Sequence, residues 1–116
     1  MKIITLDQLA VTPMAMEGAV GVGKQVPLGV EDGVPNFSFR VFTVAPGGNT
    51  PYHAHDSEHL NYIIEGEGAL VDEAGNQHPV KAGDFGFVKP NEKHQYRNTS
   101  DSRELKFICA VPKIYE

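Results

Sequence analysis

Glycine and proline cut this chain into lengths too short for helices. Twelve glycines and eight prolines stand among 116 residues. Between them the apolar residues alternate or form brief runs, the pattern of strands. Pro13, Gly18, Gly21, Gly23 and Pro27 exclude a long helix near the start. Only residues 5–9, TLDQL, read as a helical turn, with Thr5 as its N-cap. After residue 10 no segment keeps helical periodicity over three turns.

Residues 19–30, AVGVGKQVPLGV, read as extended, with Pro27 confining part of them to an edge. Residues 31–33 signal a turn. FSFRVFTV, residues 37–44, is a strand that 45–49, APGGN, should end. Residues 52–55 are short and extended. Residues 60–65 form a strand broken by Gly66 and Gly68, and 69–72 and 77–80 form a hairpin around the tip 73–76. Residues 85–88, 94–97 and 105–111 complete the set. Many short strands in one domain-sized chain imply an all-β sandwich or closed barrel.

Charge narrows the partners. The formal net charge is −5 and the lysines and arginines are scattered, so no nucleic-acid footprint exists. No stretch approaches the ~20 apolar residues of a membrane span. MKIITLDQLA has neither the apolar run nor the cleavage site of a secretory leader, which leads us to expect a cytoplasmic protein. The single cysteine, Cys109, cannot form a disulfide within the chain.

Four of the five histidines fall in two places. His53, His55 and His59 share HAHDSEH, and His94 lies in PNEKHQYRN. Imidazole is a common ligand for zinc, copper, iron and nickel. In a strand, residues two apart share a face, so His53 and His55 project together. His59 follows a short polar connection and His94 begins a strand of another hairpin. A barrel or jelly roll can bring all four to one mouth. His78, near a hairpin tip, reads as outside this group.

The spacing is regular. Gly47 is followed after five residues by His53-Ala54-His55, after three more by His59, and after six more by Gly66. A second set runs from Gly83 through Pro90 to His94 and, after three residues, Asn98. Sixteen residues separate Gly66 from Gly83. Here the chain resembles the cupin family over residues 37–112. His59 stands where most cupins have glutamate, Lys89 where proline is usual, and Asn91 where glycine is usual. Asparagine tolerates the left-handed backbone of a turn glycine. NFSFRVFTVAPGG, HAHDSEH, KPNEKHQYRN and FICAVPK are similar to small single-domain cupins of the conserved-barrel type with four histidine ligands.

The resemblance implies a double-stranded β-helix, the jelly-roll barrel, over residues 36–116. Residues 1–35 precede it as an extended segment expected to add to the sheet and to a homodimer interface. It also implies one divalent metal on His53, His55, His59 and His94. Manganese follows from the resemblance, whereas imidazole chemistry favours iron, nickel, copper or zinc. Four neutral imidazoles leave a divalent ion its full charge, so the centre should be a strong Lewis acid that attracts anions.

Strand parity names the neighbours. Asn61 and Ile63 share the face of His59, and Tyr96 shares that of His94. Phe107 and Cys109 share a face of the last strand that meets the metal cavity in the resembling proteins. Arg40 alternates with Phe42 and Val44; facing a metal, it would bind a carboxylate or enolate. Arg40, Asn61, Tyr96, Phe107 and Cys109 are thus the expected substrate cavity, with Arg40, Tyr96 and Cys109 the candidate catalytic groups. Phe85 and Phe87 are expected in the core, and Asp56 and Glu58 in a solvated turn. The reading that follows is a metal-dependent enzyme on a small molecule, of dioxygenase type. A non-oxidative isomerase, lyase or hydrolase, and a binding module without turnover, stay open beside it.

Overall fold

The computed structural model describes all residues 1–116. Nine strands run as β1 (Thr12–Pro13), β2 (Val20–Leu28), β3 (Phe37–Asn49), β4 (His59–Glu65), β5 (Glu67–Val71), β6 (Gln77–Lys81), β7 (Phe85–Val88), β8 (Gln95–Arg97) and β9 (Leu105–Pro112). The only helical pieces are 3-10 turns at Leu6–Gln8, Val30–Asp32 and Lys113–Tyr115. Thr5 precedes the first, its backbone N–H donating to Gln8 Oε1 at 3.2 Å.

The strands curl into a double-stranded β-helix. The order is β6-β5-β8-β3-β9-β4-β7, with β2 also on β3 and β1 on β2. Every pair is antiparallel. β3 does not stop at Ala45, as its proline and glycines suggest; it continues to Asn49. Phe37 to Val44 pair with β9, whereas Asn49 pairs with Arg97 of β8. The chain thus passes from one sheet to the other within a single strand. Gly47 supplies the bend with φ of 73°, a conformation that costs other residues 1–2 kcal/mol or so. A Cβ on Gly48 would collide with the Val20 carbonyl. Proline and glycine make a bulged corner here rather than a strand end.

Gly66 and Gly83 make the other corners, between β4 and β5 and between β6 and β7, with φ of 83° and 99°. Gly68, expected to break the strand, lies inside β5 instead. Its backbone packs so closely on the Arg97 carbonyl that no side chain fits. Pro27 sits where the β2–β3 register slips, between Gln25 and Leu28. A residue without an N–H fits where the ladder is already interrupted.

The interior cluster is Val22, Phe42, Val44, Ile63, Tyr96, Leu105, Phe107, Cys109 and Val111. One expectation fails: Phe85 and Phe87 are not core residues, being 83% and 60% exposed. β7 faces inward with Gly86 and Val88, so its parity turns both phenylalanines outward. A run of apolar residues does not say which face meets the interior.

Candidate metal centre

Backbone pairing joins the two histidine segments. His53 and His94 form an isolated antiparallel bridge, N–H to carbonyl in both directions at 3.1 and 3.0 Å. Asn91 adds a second stitch by donating its N–H to the His55 carbonyl. Asn91 adopts φ of 64°, the left-handed turn its side chain tolerates. Asn98 secures the far end of β8. Its amide donates to the carbonyls of Val44 at 2.9 Å and Arg103 at 2.7 Å, and its Oδ1 accepts from Ser100 N–H at 2.9 Å.

Three of the four rings share one donor cluster, and His59 packs beside it. Candidate ligand nitrogens of His53, His55 and His94 all lie within 4.8 Å of one another. His59 stacks on His55 with centroids 4.5 Å apart and lies 5.1 Å from His94. His59 and His94 are buried, and His53 and His55 half-buried. His94 Nδ1 lies 2.8 Å from the Glu92 carbonyl. A carbonyl can only accept, so Nδ1 carries the proton and Nε2 keeps its lone pair. His55 Nε2 is buried without a hydrogen-bond partner.

Burial holds these imidazoles neutral. It is the first cause pushing His59 down to about 3, helped by Arg40 and the other three rings. His55 falls to about 4 by burial and then by His53, His94 and Arg40, with Asp56 opposing. His53 and His94 are lowered by burial as well. Neutral imidazole is the form that donates a lone pair to a cation.

A cavity of about 80 Å³ adjoins the rings. Arg40, Tyr96, Phe107 and Cys109 line it with the four histidines. Arg40 stands opposite Cys109 in the β3–β9 register, with Nη2 3.0 Å from Sγ. Its Nη1 donates to the Tyr115 carbonyl at 3.3 Å, and its Nε is buried and unpaired. The Tyr96 hydroxyl donates to Asn61 Oδ1 at 3.0 Å, and burial raises its pKa well above that of an ordinary phenol. Asn61, expected in the cavity, is not among its lining residues; its side chain holds the Tyr96 hydroxyl instead. Gly86 makes room for that pair: a Cβ there would come within 2.7 Å of the hydroxyl. His78 stands apart, 2.8 Å from Asp72 on an exposed hairpin.

Met14, Met16, Thr50 and Pro51 also line the cavity and were not found by sequence reasoning. Met14 and Met16 arrive from before β2, held by the Met14 N–H to the Val22 carbonyl at 2.8 Å. Their spacing of two was the available signal, but nothing linked that face to residues forty positions later. No carboxylate lines the cavity.

The family model of the cupin domain matches residues 40–111, more than half of the chain. The chain belongs to the cupin family. Among relatives, this cupin is 34% identical over 74 residues to an oxalate-binding protein of Thermotoga maritima, covering 63% of this chain and 60% of that protein. It is 28% identical over 82 residues to an L-ectoine synthase of Vibrio campbellii, covering 69% and 62%. The matched stretches therefore span less than two thirds of either relative. Among solved structures, the polyketide cyclase RemF of Streptomyces resistomycificus superposes with a TM-score of 0.90 at 26% identity, over 97% of this chain and 79% of that one. A predicted oxalate decarboxylase of Thermotoga maritima gives 0.85 at 26% identity, over 97% and 99%.

Proposed function

We propose that this cupin holds one divalent transition metal on His53, His55, His59 and His94 and acts on a small oxygen-donor molecule beside it. The buried, unpaired Nε2 of His55 among three other imidazoles carries the proposal. A buried nitrogen without a partner costs about 1–3 kcal/mol, and a cation shared with neighbouring imidazoles is the partner this donor set suits. Manganese and iron are the ions proposed, manganese from the four-histidine cupin pattern and iron from imidazole chemistry as well. Bound there, the ion would supply Lewis acidity and, in a redox-active state, chemistry with dioxygen.

The chain's own residues favour an anionic substrate. The Arg40 guanidinium is the one formal charge on the cavity wall, and no carboxylate opposes it. Arg40 binds and orients an acidic oxygen. Cys109 holds Arg40 from across the sheet. Tyr96, committed to Asn61, offers its ring as a wall and keeps its proton at neutral pH. Met14, Met16 and Phe107 exclude water from the far side.

The leading reading is dioxygenase chemistry on a small chelating acid or enol. A non-oxidative isomerase or lyase is the second reading, favoured by a cyclase among the similar structures and a synthase among the relatives. Metal-loaded protein is tested with a panel of such acids in an oxygen electrode and again under nitrogen. Oxygen uptake coupled to substrate loss supports the first reading. Equal turnover under nitrogen selects the second. Binding without turnover in either gas would leave a binding module.

We also propose a homodimer, with a second copy covering the outer face of the β3–β9–β4–β7 sheet. Phe39, Leu60, Tyr62, Phe85, Ile108 and Ala110 share a groove of about 530 Å³ there without a charged residue. With Phe37 and Phe87 alongside, the aromatic and leucine side chains expose on the order of 700 Å², close to the ~800 Å² per partner of a stable interface. Strands apolar on both faces are normally covered on both faces. Residues 1–35 border this groove through Ile4, Leu6 and Pro27.

A further inference from the structure

The last 3-10 turn, Lys113–Tyr115, and Glu116 after it dock onto the barrel at a fitted seat. Glu116 Oε2 accepts from Ser38 Oγ at 2.6 Å and from Val30 N–H at 2.7 Å. Ser38 is fully buried. Gly29 forms the floor, and a Cβ there would overlap the Glu116 carboxylate. Its φ of −158° is open to any residue, so glycine serves this position for space alone. Lys24 Nζ bonds the Glu116 carbonyl, and Lys113 N–H donates to the Asn36 carbonyl at 2.9 Å.

The seat fixes Tyr115 between two parts of the histidine centre. Its carbonyl accepts from Arg40 Nη1 at 3.3 Å, and its hydroxyl donates to Asp56 Oδ1 at 2.6 Å. Asp56 lies in the connection between His55 and His59. The Ser57 hydroxyl bonds only the neighbouring Glu58 carbonyl. The Tyr115 hydroxyl is therefore the one side-chain hydrogen bond that reaches residues 56–58 from elsewhere in the fold. A continuous path runs from Cys109 through Arg40 and Tyr115 to Asp56.

We propose that Tyr115 is a positioning residue: seated by Glu116, it ties the Arg40 wall to the loop carrying His55 and His59 and so sets the spacing of those rings. The metal consequence rests on the four-histidine reading above, whereas the hold on the loop does not. A phenol-to-carboxylate bond is charge-assisted and short, yet solvent reaches this one and weakens it. Its loss should change loop geometry without unfolding the barrel.

The test uses Tyr115→Phe, Asp56→Ala and their double variant, with Tyr62→Phe on the outer face as the control. Amide hydrogen exchange is followed in metal-free protein, and cobalt(II) is titrated with its visible d–d spectrum recorded. Tyr115→Phe should speed exchange severalfold at His59 and at Asn91, whose N–H is bonded to the His55 carbonyl, and leave β3 and β9 unchanged. It should also weaken cobalt binding about three- to fivefold and shift the cobalt bands, which a merely structural loss would not do. Asp56→Ala, which removes the acceptor, should act alike, and the double variant should add little, because one bond is removed in every case. Faster loop exchange in the variants, with no cobalt taken up even by the wild type, would sink the metal reading and leave the tether standing. Unchanged exchange and unchanged cobalt spectra in both single variants would overturn the tether. Should Tyr115→Phe fold poorly, Asp56→Ala alone decides.

Discussion

The two faces of one sheet invert the usual order of a globular protein. On the inner face of β3, β9 and β4 stand Arg40, Cys109, Asn61 and His59, among Phe42, Phe107 and Ile63. On the outer face stand Phe39, Ile108, Ala110, Leu60 and Tyr62, joined by Phe85 and Phe87 of β7. Arg40, Cys109 and His59 face in, whereas the outer groove has no charged residue and Lys106 of β9 lies beyond it. A fold that only needed a core would do the reverse, since burying a polar group costs free energy unless it is paired. The inner face thus bears the marks of a site, and the outer face those of a contact surface.

The comparison breaks most severely at the inner face. Replacing His55 with alanine should lower affinity for manganese or cobalt by about 100-fold or more, since even outer partners of ligands contribute 10–100-fold; calorimetric titration measures it. On the outer face, Phe85→Glu should raise the dimer dissociation constant on the order of 100-fold, because two buried phenylalanines are lost per dimer. Light scattering across a dilution series reads that change, and metal affinity should stay as in the wild type. A monomeric wild type would remove the outer half of the comparison altogether.

A smaller effect sharpens the inner side. Gly86→Ala should destabilise the fold by roughly 1–3 kcal/mol, because its methyl group meets the Tyr96 hydroxyl at 2.7 Å. Chemical denaturation checks it, and pairing with Tyr96→Phe should recover part of the loss. A last effect is in pH. The unfolded chain binds protons at its histidines near 6.5, whereas folded His55 and His59 resist protonation until about 4 and 3. Metal-free stability should therefore fall as pH drops from about 6.5 and level off below about 3. Melting temperature recorded across that range tests the sign; a rise on acidification would contradict it.

Much of the molecule was legible because its rules are local. Strand parity put His59, Asn61 and Ile63 on one face, and all three are buried. The left-handed backbone tolerated by Asn91 is adopted at that turn. Gly47, Gly66 and Gly83 were visible only as spacing; their physical role is to turn the chain from one sheet to the other. What escaped was set by distance in sequence. Phe85 and Phe87 could have faced either way, since a short apolar run carries no sign for in or out. Asn61 shares the parity of His59, yet Tyr96 claims its side chain. Met14 reaches the cavity across a strap of chain, and Tyr115 reaches Asp56 from 59 positions away. No periodicity records such meetings.

β9 lies between β3 and β4 in the sheet, although it comes last of the three in the chain. Neither neighbour can pair with the other, and the wall holding Arg40 beside Cys109 closes a loop of 69 positions. Contacts of that span are slow to form, because chain entropy is lost before they contribute. A nascent chain emerging from the ribosome thus has all its histidines well before it has a cavity to hold them in. Acquisition of a metal by this protein should report the completion of folding, not its beginning.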